Sequence, residues 1–141
     1  MGENIILKDF SVSFQTSQGE VKAVRGVNTV FESGKVTGMI GESGSGKSVL
    51  GMGILKLLAA NARISGQCYY GEKQMTSFRG LKIGLIPQNP AESLDPVIRI
   101  KKQLIEAVTT HDRSRKKEAE DRYCLLMKRF GFKDPESIGR K

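Results

Sequence analysis

The sequence has no tryptophan, one histidine and two cysteines in 141 residues, and each scarcity removes a class of explanation. Cys68 and Cys124 stand far apart with no C-x-x-C spacing, so neither a disulfide framework nor a cysteine-ligated zinc site is expected. Two reduced thiols suit a cytosolic protein. His111 lies in a polar break with no triad or metal partner in its neighbourhood and reads as a surface residue. No apolar run approaches the ~18 residues needed to cross a bilayer, because Lys56 interrupts the longest one. The start, Met1-Gly2-Glu3-Asn4-Ile5-Ile6, lacks the basic region of a secretory signal. It also lacks the serine or threonine of a myristoylation site. A soluble, cytoplasmic, ordinary globular chain is expected, long enough for one domain with a core.

What the chain has in excess is positive charge, formally +8. Most of it lies beyond Pro96, from Arg99, Lys101 and Lys102 to Arg140 and Lys141. Such an excess can mark a nucleic-acid surface. Here, however, acids interleave with bases from Lys116 to Arg122, as on a solvated helix face with i,i+4 pairs. No aromatic residue stands close enough in the cluster to act as a base-stacking platform. Nucleic acid is therefore not an expected partner.

Read for organisation, Ile5 to Phe14 and Val21 to Phe31 are β-rich runs around Thr16-Ser17-Gln18-Gly19, which predicts an antiparallel hairpin. Glu32-Ser33-Gly34-Lys35 makes the next turn and feeds an apolar run, Val36 to Ile40, expected as a strand. A helix-like run spans Val49 to Ala60. Gly66 to Tyr70 reads as a strand turning at Gly71, and Leu81 to Ile86 as a short buried strand entering Pro87-Gln88-Asn89-Pro90. From Ile98 the period becomes helical: Ile100, Leu104, Ile105 and Val108 share a face, as do Tyr123, Leu126, Met127 and Phe130. Gly131 is the expected stop of the last helix. Strands followed by helices point to an α/β nucleotide-binding core with a helical lobe.

The chemistry is concentrated in Gly41-Glu42-Ser43-Gly44-Ser45-Gly46-Lys47-Ser48, a complete G-x-x-x-x-G-K-S phosphate-binding loop between the expected strand and the helix beginning at Val49. Its glycines let successive backbone N–H groups form a nest for phosphate oxygens at the positive end of a helix. Lys47 can reach the β- and γ-phosphates, and the Ser48 hydroxyl can ligate Mg²⁺. These residues predict nucleoside triphosphate binding.

Val12-Ser13-Phe14, Glu20-Val21-Lys22-Ala23-Val24 and the phosphate loop together resemble the start of an ABC transporter ATPase subunit. The segment Ile83-Gly84-Leu85-Ile86-Pro87-Gln88-Asn89-Pro90-Ala91-Glu92-Ser93-Leu94-Asp95-Pro96 is similar to the Q-loop region of the dipeptide, oligopeptide and nickel importer subfamily. Asn89 stands where that pattern usually has aspartate, and Asp95 where it usually has asparagine. The resemblance implies an α/β fold: a P-loop NTPase core with an antiparallel β subdomain and the beginning of a helical subdomain. Residues 1–96 would carry the hairpin and nucleotide-binding core through the Q-loop, and 97–141 part of the helical subdomain. It implies ATP and Mg²⁺ as cofactors. Gly41 to Val49 would hold the nucleotide, with Phe14 stacking on adenine. Lys47 would be catalytic, as would Gln88, which would contact Mg²⁺ and the attacking water. Asn89 through Arg99 would lie near a membrane subunit. The implied partners are permease subunits, a second ATPase subunit, identical or not, and a separate solute-binding protein. The implied place is the inner face of the cell membrane, and the implied task is uptake of peptides, nickel or another small solute.

The 141 residues contain no L-S-G-G-Q signature and no strand ending in Asp-Glu, both of which follow in that family. The expectation is a subunit's first portion that binds ATP and does not turn it over alone. A truncated nucleotide-binding module without turnover stays open. So does another P-loop enzyme, a DNA-repair ATPase or a kinase, although Gln88 so soon after the loop disfavours it.

Overall fold

The two β-rich runs close on each other through the expected turn. A computed structural model describes residues 2–75, 83–110 and 112–134. In it β1 (Ile5–Thr16) pairs antiparallel with β2 (Gly19–Phe31). The Thr16 hydroxyl donates to the Gly19 carbonyl at 2.7 Å and accepts from the Gln18 N–H at 3.3 Å. β3 (Ala62–Tyr70) pairs antiparallel with the other edge of β1, and the two-residue β4 (Lys73–Gln74) with β3. The sheet order is therefore β2-β1-β3-β4.

Alternation gives the sheet one apolar face. Leu7, Phe10 and Val12 of β1 are buried there with Val24 of β2 and Cys68 of β3. The helix α1 (Lys47–Ile54) packs against this face through Leu50 and Ile54. A methyl group on Gly53 would lie 3.1 Å from a Val12 methyl and 3.2 Å from the Phe10 ring, so the helix sits as close as glycine permits. Each fully buried aliphatic or phenyl side chain contributes about 1.5–3 kcal/mol, making this contact the main cohesion of the sheet and helix.

The β1 ladder is interrupted midway, with register shifts between Leu7 and Ser13. Asp9 and Gly26 take left-handed backbone conformations there. Side chains catch the displaced backbone groups. The Asp9 N–H donates to Asn28 Oδ1 at 2.9 Å, the Gly26 N–H donates to Ser11 Oγ at 2.8 Å, and Asn28 Nδ2 donates to the Gly26 carbonyl at 3.0 Å. Such bulges bend the strand and increase its twist.

The helix expected from Val49 to Ala60 is shorter and begins earlier. It ends because Lys56 adopts a left-handed φ of 54°. The Lys56 N–H returns to the Gly53 carbonyl at 3.0 Å and the Leu57 N–H to the Met52 carbonyl at 2.9 Å, a Schellman closure. The strand expected at Val36 to Ile40 does not form: 36–40 are irregular, and Val36 and Ile40 are 102% and 98% exposed. A strand exists only where a neighbour takes its backbone hydrogen bonds, and none of the described residues does so here. In the run expected from Leu81 to Ile86, Ile83 makes a single bridge and 84–87 are irregular; Leu81 and Lys82 lie outside the described residues, as does His111.

The chain divides into two compact units, Met1–Phe78 and Arg79–Lys141. The second contains α2 (Ile100–Thr109) and α3 (Lys116–Arg129), which pack on each other and bury Ala119 and Tyr123. Asp112 opens the approach to α3, accepting from the Ser114 N–H at 2.9 Å and the Ser114 hydroxyl at 2.6 Å. Arg115 then grips Glu118 with two parallel bonds of 2.9 and 2.8 Å. α3 stops where Gly131 was expected to stop it, by a second Schellman closure with Gly131 at φ 88°. Ahead of α2, the Gln103 amide clasps the incoming loop. Its Oε1 accepts from the Asp95 N–H at 2.8 Å, and its Nε2 donates to the carbonyls of Asp95 at 2.9 Å and Ile98 at 2.6 Å.

Candidate phosphate-binding site

The loop of residues 41–48 leads directly into α1, and its backbone can be explained residue by residue. Gly44 and Gly46 hold left-handed φ values of 80° and 89°. Gly46 is doubly constrained, since a Cβ there would also fall 2.5 Å from the Ala23 carbonyl oxygen of β2. A Cβ on Gly41 would meet Ser45 Oγ at 2.8 Å. The Ser45 N–H turns back to the Glu42 carbonyl at 3.2 Å, and the Leu50 N–H bonds the Gly46 carbonyl at 2.8 Å as the helix starts.

The start of α1 carries no side-chain cap and no acidic residue in its first turn. The first N–H groups of a helix have no partner within it, so those of Lys47, Ser48 and Val49 are offered outward at the positive end of the helix dipole. Lys47 folds over the same opening: its Nζ donates to the carbonyls of Gly41 at 2.8 Å and Glu42 at 2.6 Å and lies 3.2 Å from Ser45 Oγ. Backbone donors, one ammonium and the exposed Ser48 hydroxyl thus converge around a cradle that extra Cβ atoms would obstruct. This donor set suits phosphate oxygens, and Ser48 is the oxygen ligand it offers a magnesium ion. Among the described residues no group of three histidines, cysteines or carboxylates is arranged to hold a metal.

Phe14 belongs to the same unit. It is half-buried near the end of β1, opposite Val21 and Ala62. Alternation puts it on the face shared by Phe10 and Val12, the two residues that meet α1. Gln88 lies in the second unit, exposed at a bend just ahead of a short 3₁₀ turn, Pro90–Ser93. Asp95, which stands where asparagine is usual, accepts the Val97 N–H on Oδ1 at 2.9 Å. An asparagine oxygen could take the same bond.

Neither cysteine takes part. Neither is in a disulfide, and burial pushes the Cys68 thiol up, with Lys56 opposing the shift, while Cys68 Sγ rests 3.4 Å from Met75 Sδ. The Ala23 carbonyl that backs the loop and the Gln103 clasp escaped the sequence reading. The first is a backbone carbonyl and the second holds backbone partners, which leave no signature in residue types.

Residues 24–140 match the family model described as ABC transporter. The chain is 36% identical over 140 residues to the oligopeptide transport ATP-binding protein OppD of Bacillus subtilis, covering 92% of this chain and 39% of that protein. It is 37% identical over 121 residues to the OppD of Escherichia coli, covering 80% and 36%. With the dipeptide transport ATP-binding protein DppD of Lactococcus lactis it shares 37% identity over 148 residues, covering 96% and 42%. The chain therefore spans about two fifths of the length of these relatives.

Proposed function

Since the chain belongs to the ABC transporter family, we propose that it is the ATP-binding portion of an importer's ATPase subunit, one that couples ATP to peptide uptake. The observation that carries this reading is the glycine-built loop at the uncapped start of α1, with Lys47 over its opening. Peptide is proposed as cargo because the relatives' names specify peptide transport; nickel or another small solute is the alternative. On this reading the loop and α1 belong to a P-loop NTPase core within 1–96, and 97–141 begin a helical subdomain.

Backbone N–H groups of the loop bind and orient the phosphates, and Lys47 neutralises charge on the β- and γ-phosphoryl oxygens. Phe14 stacks on adenine, a contact worth about 1–3 kcal/mol for a base on an aromatic ring. Ser48 and Gln88 supply oxygens for Mg²⁺, which when bound offsets charge on the phosphates. Asn89 to Arg99 lie against a permease subunit. A second ATPase subunit and a solute-binding protein complete the transporter, and the chain works at the inner face of the membrane; among the described residues no helix is long and apolar enough to cross it.

Turnover is assigned to residues outside these 141. A missing general base alone removes a factor of about 10²–10⁴. Binding of radiolabelled ATP by the 141-residue polypeptide, with release of labelled phosphate followed in parallel, tests both parts. Saturable binding weakened about 10–100-fold by Lys47→Ala is expected, the scale of one lost charge-assisted contact. Binding indifferent to Lys47 would remove the reading, and steady turnover would remove the assignment of hydrolysis elsewhere.

A further inference from the structure

A groove of about 370 Å³ lies across β1, β2 and β3, lined by Ser11, Ser13, Ser65, Lys22, Arg25 and Glu20 together with Val12 and Val24. Register brings these residues together. Ser13 is opposite Lys22 on one side and Arg63 on the other, and Ser11 is opposite Ser65. Cross-strand partners share a face, so three hydroxyls and the basic side chains of Lys22 and Arg63 project from one surface. The concavity lies beside the ladder interruption, where the bulge deepens the local twist.

The groove is rich in donors with nothing to donate to. Ser11 Oγ accepts the Gly26 N–H, which leaves its own O–H to donate. The side chains of Ser13, Ser65, Lys22 and Arg25 make no hydrogen bond or ion pair among the described residues. Glu20 is the one acid in the lining, so the groove keeps one positive charge in excess. An outward polar face is ordinary for an antiparallel sheet. A concave face with two unpaired cations and three free hydroxyl donors is matched to a compact, multiply charged oxyanion.

We infer that this groove is a second phosphate site, distinct from the loop before α1, that takes a phosphate group through Lys22, Arg25 and the three serine hydroxyls. It stands independently of the proposed ATP chemistry, because none of Lys22, Arg25 and the three serines belongs to the loop of residues 41–48. The phosphate can come from a free ion or metabolite, or from a phospholipid headgroup.

Equilibrium dialysis of the 141-residue chain against labelled inorganic phosphate tests it, with Lys47→Ala as the background to disable the loop. Dialysis counts ions per chain whatever the state of association. The expected result is about one site per chain, weakened at least about tenfold by Lys22→Ala with Arg25→Ala and tightened about threefold by Glu20→Gln. The Glu20 variant matters because loss of structure cannot mimic a gain. Flotation with phosphatidylglycerol vesicles forms the second arm. Flotation lost with Lys22 and Arg25 assigns the phosphate to lipid, and dialysis binding without flotation assigns it to a soluble species. No binding in either arm, or binding indifferent to Lys22, Arg25 and Glu20, overturns the proposal.

Discussion

Gly46 and Gly44 share a left-handed backbone but differ in surroundings, which lets one residue's two constraints be separated. A Cβ on Gly44 meets nothing within 4 Å, whereas one on Gly46 strikes the Ala23 carbonyl. Gly44→Ala should lower stability by about 1 kcal/mol, the ordinary cost of a left-handed alanine. Gly46→Ala should cost about 2–3 kcal/mol and weaken ATP binding further, since either the loop or β2 must move. Urea denaturation of the two variants checks the difference; equal losses would show that the Ala23 contact is irrelevant. The glycines were legible in the sequence because the motif names them. Their unequal cost was not, because Ala23 is remote in the chain and acts through its backbone.

At the scale of elements, helix ends illustrate what sequence can reveal. Gly131 was readable as a stop because glycine enters the left-handed region freely. Lys56 does the same work against its own preference and was hidden inside an apolar run. Lys56→Gly should therefore raise stability by about 0.5–1 kcal/mol, seen as a higher denaturation midpoint with unchanged slope. The approach to α3 is pH-sensitive. Hydrogen bonds from the Ser114 hydroxyl and N–H hold the Asp112 carboxyl below its ordinary range. A depressed carboxylate contributes stability that is complete above its unfolded value and lost as pH falls through its folded one. Exchange of the Ser114 amide should accelerate below the ordinary carboxylate range, and Asp112→Asn should blunt that acceleration. The hairpin was legible because turn and alternation are local. The strand expected at Val36–Ile40 was misread because its pattern is local while its partner is not.

For the whole molecule, composition and surface pull in opposite directions. A charge of +8 favours dispersal. Val36, Ile40, Ile86 and Val97 are nevertheless each at least 89% exposed in segments without sheet partners. Apolar chain with free backbone groups is a template for pairing with another copy. The 141-residue polypeptide should self-associate, with a sedimentation coefficient that rises with concentration and more so at high salt. A monomer that sediments independently of concentration would contradict this. The shape of the 41–48 loop was legible because its motif specifies a fixed run of glycines and a lysine. The groove was not, because its members are scattered over three strands and meet only through register.

The Gln103 clasp has a further consequence for how such a chain can vary. All three of its bonds run to main-chain atoms of Asp95 and Ile98, which every amino acid but proline can supply. Asp95 adds its own carboxylate bond to the Val97 N–H, but the side chains at 94 and 97 can change over generations while the path of the loop is kept. Leu94 and Val97 become free letters on a fixed frame, and one glutamine in the following helix bears the inheritance of the shape.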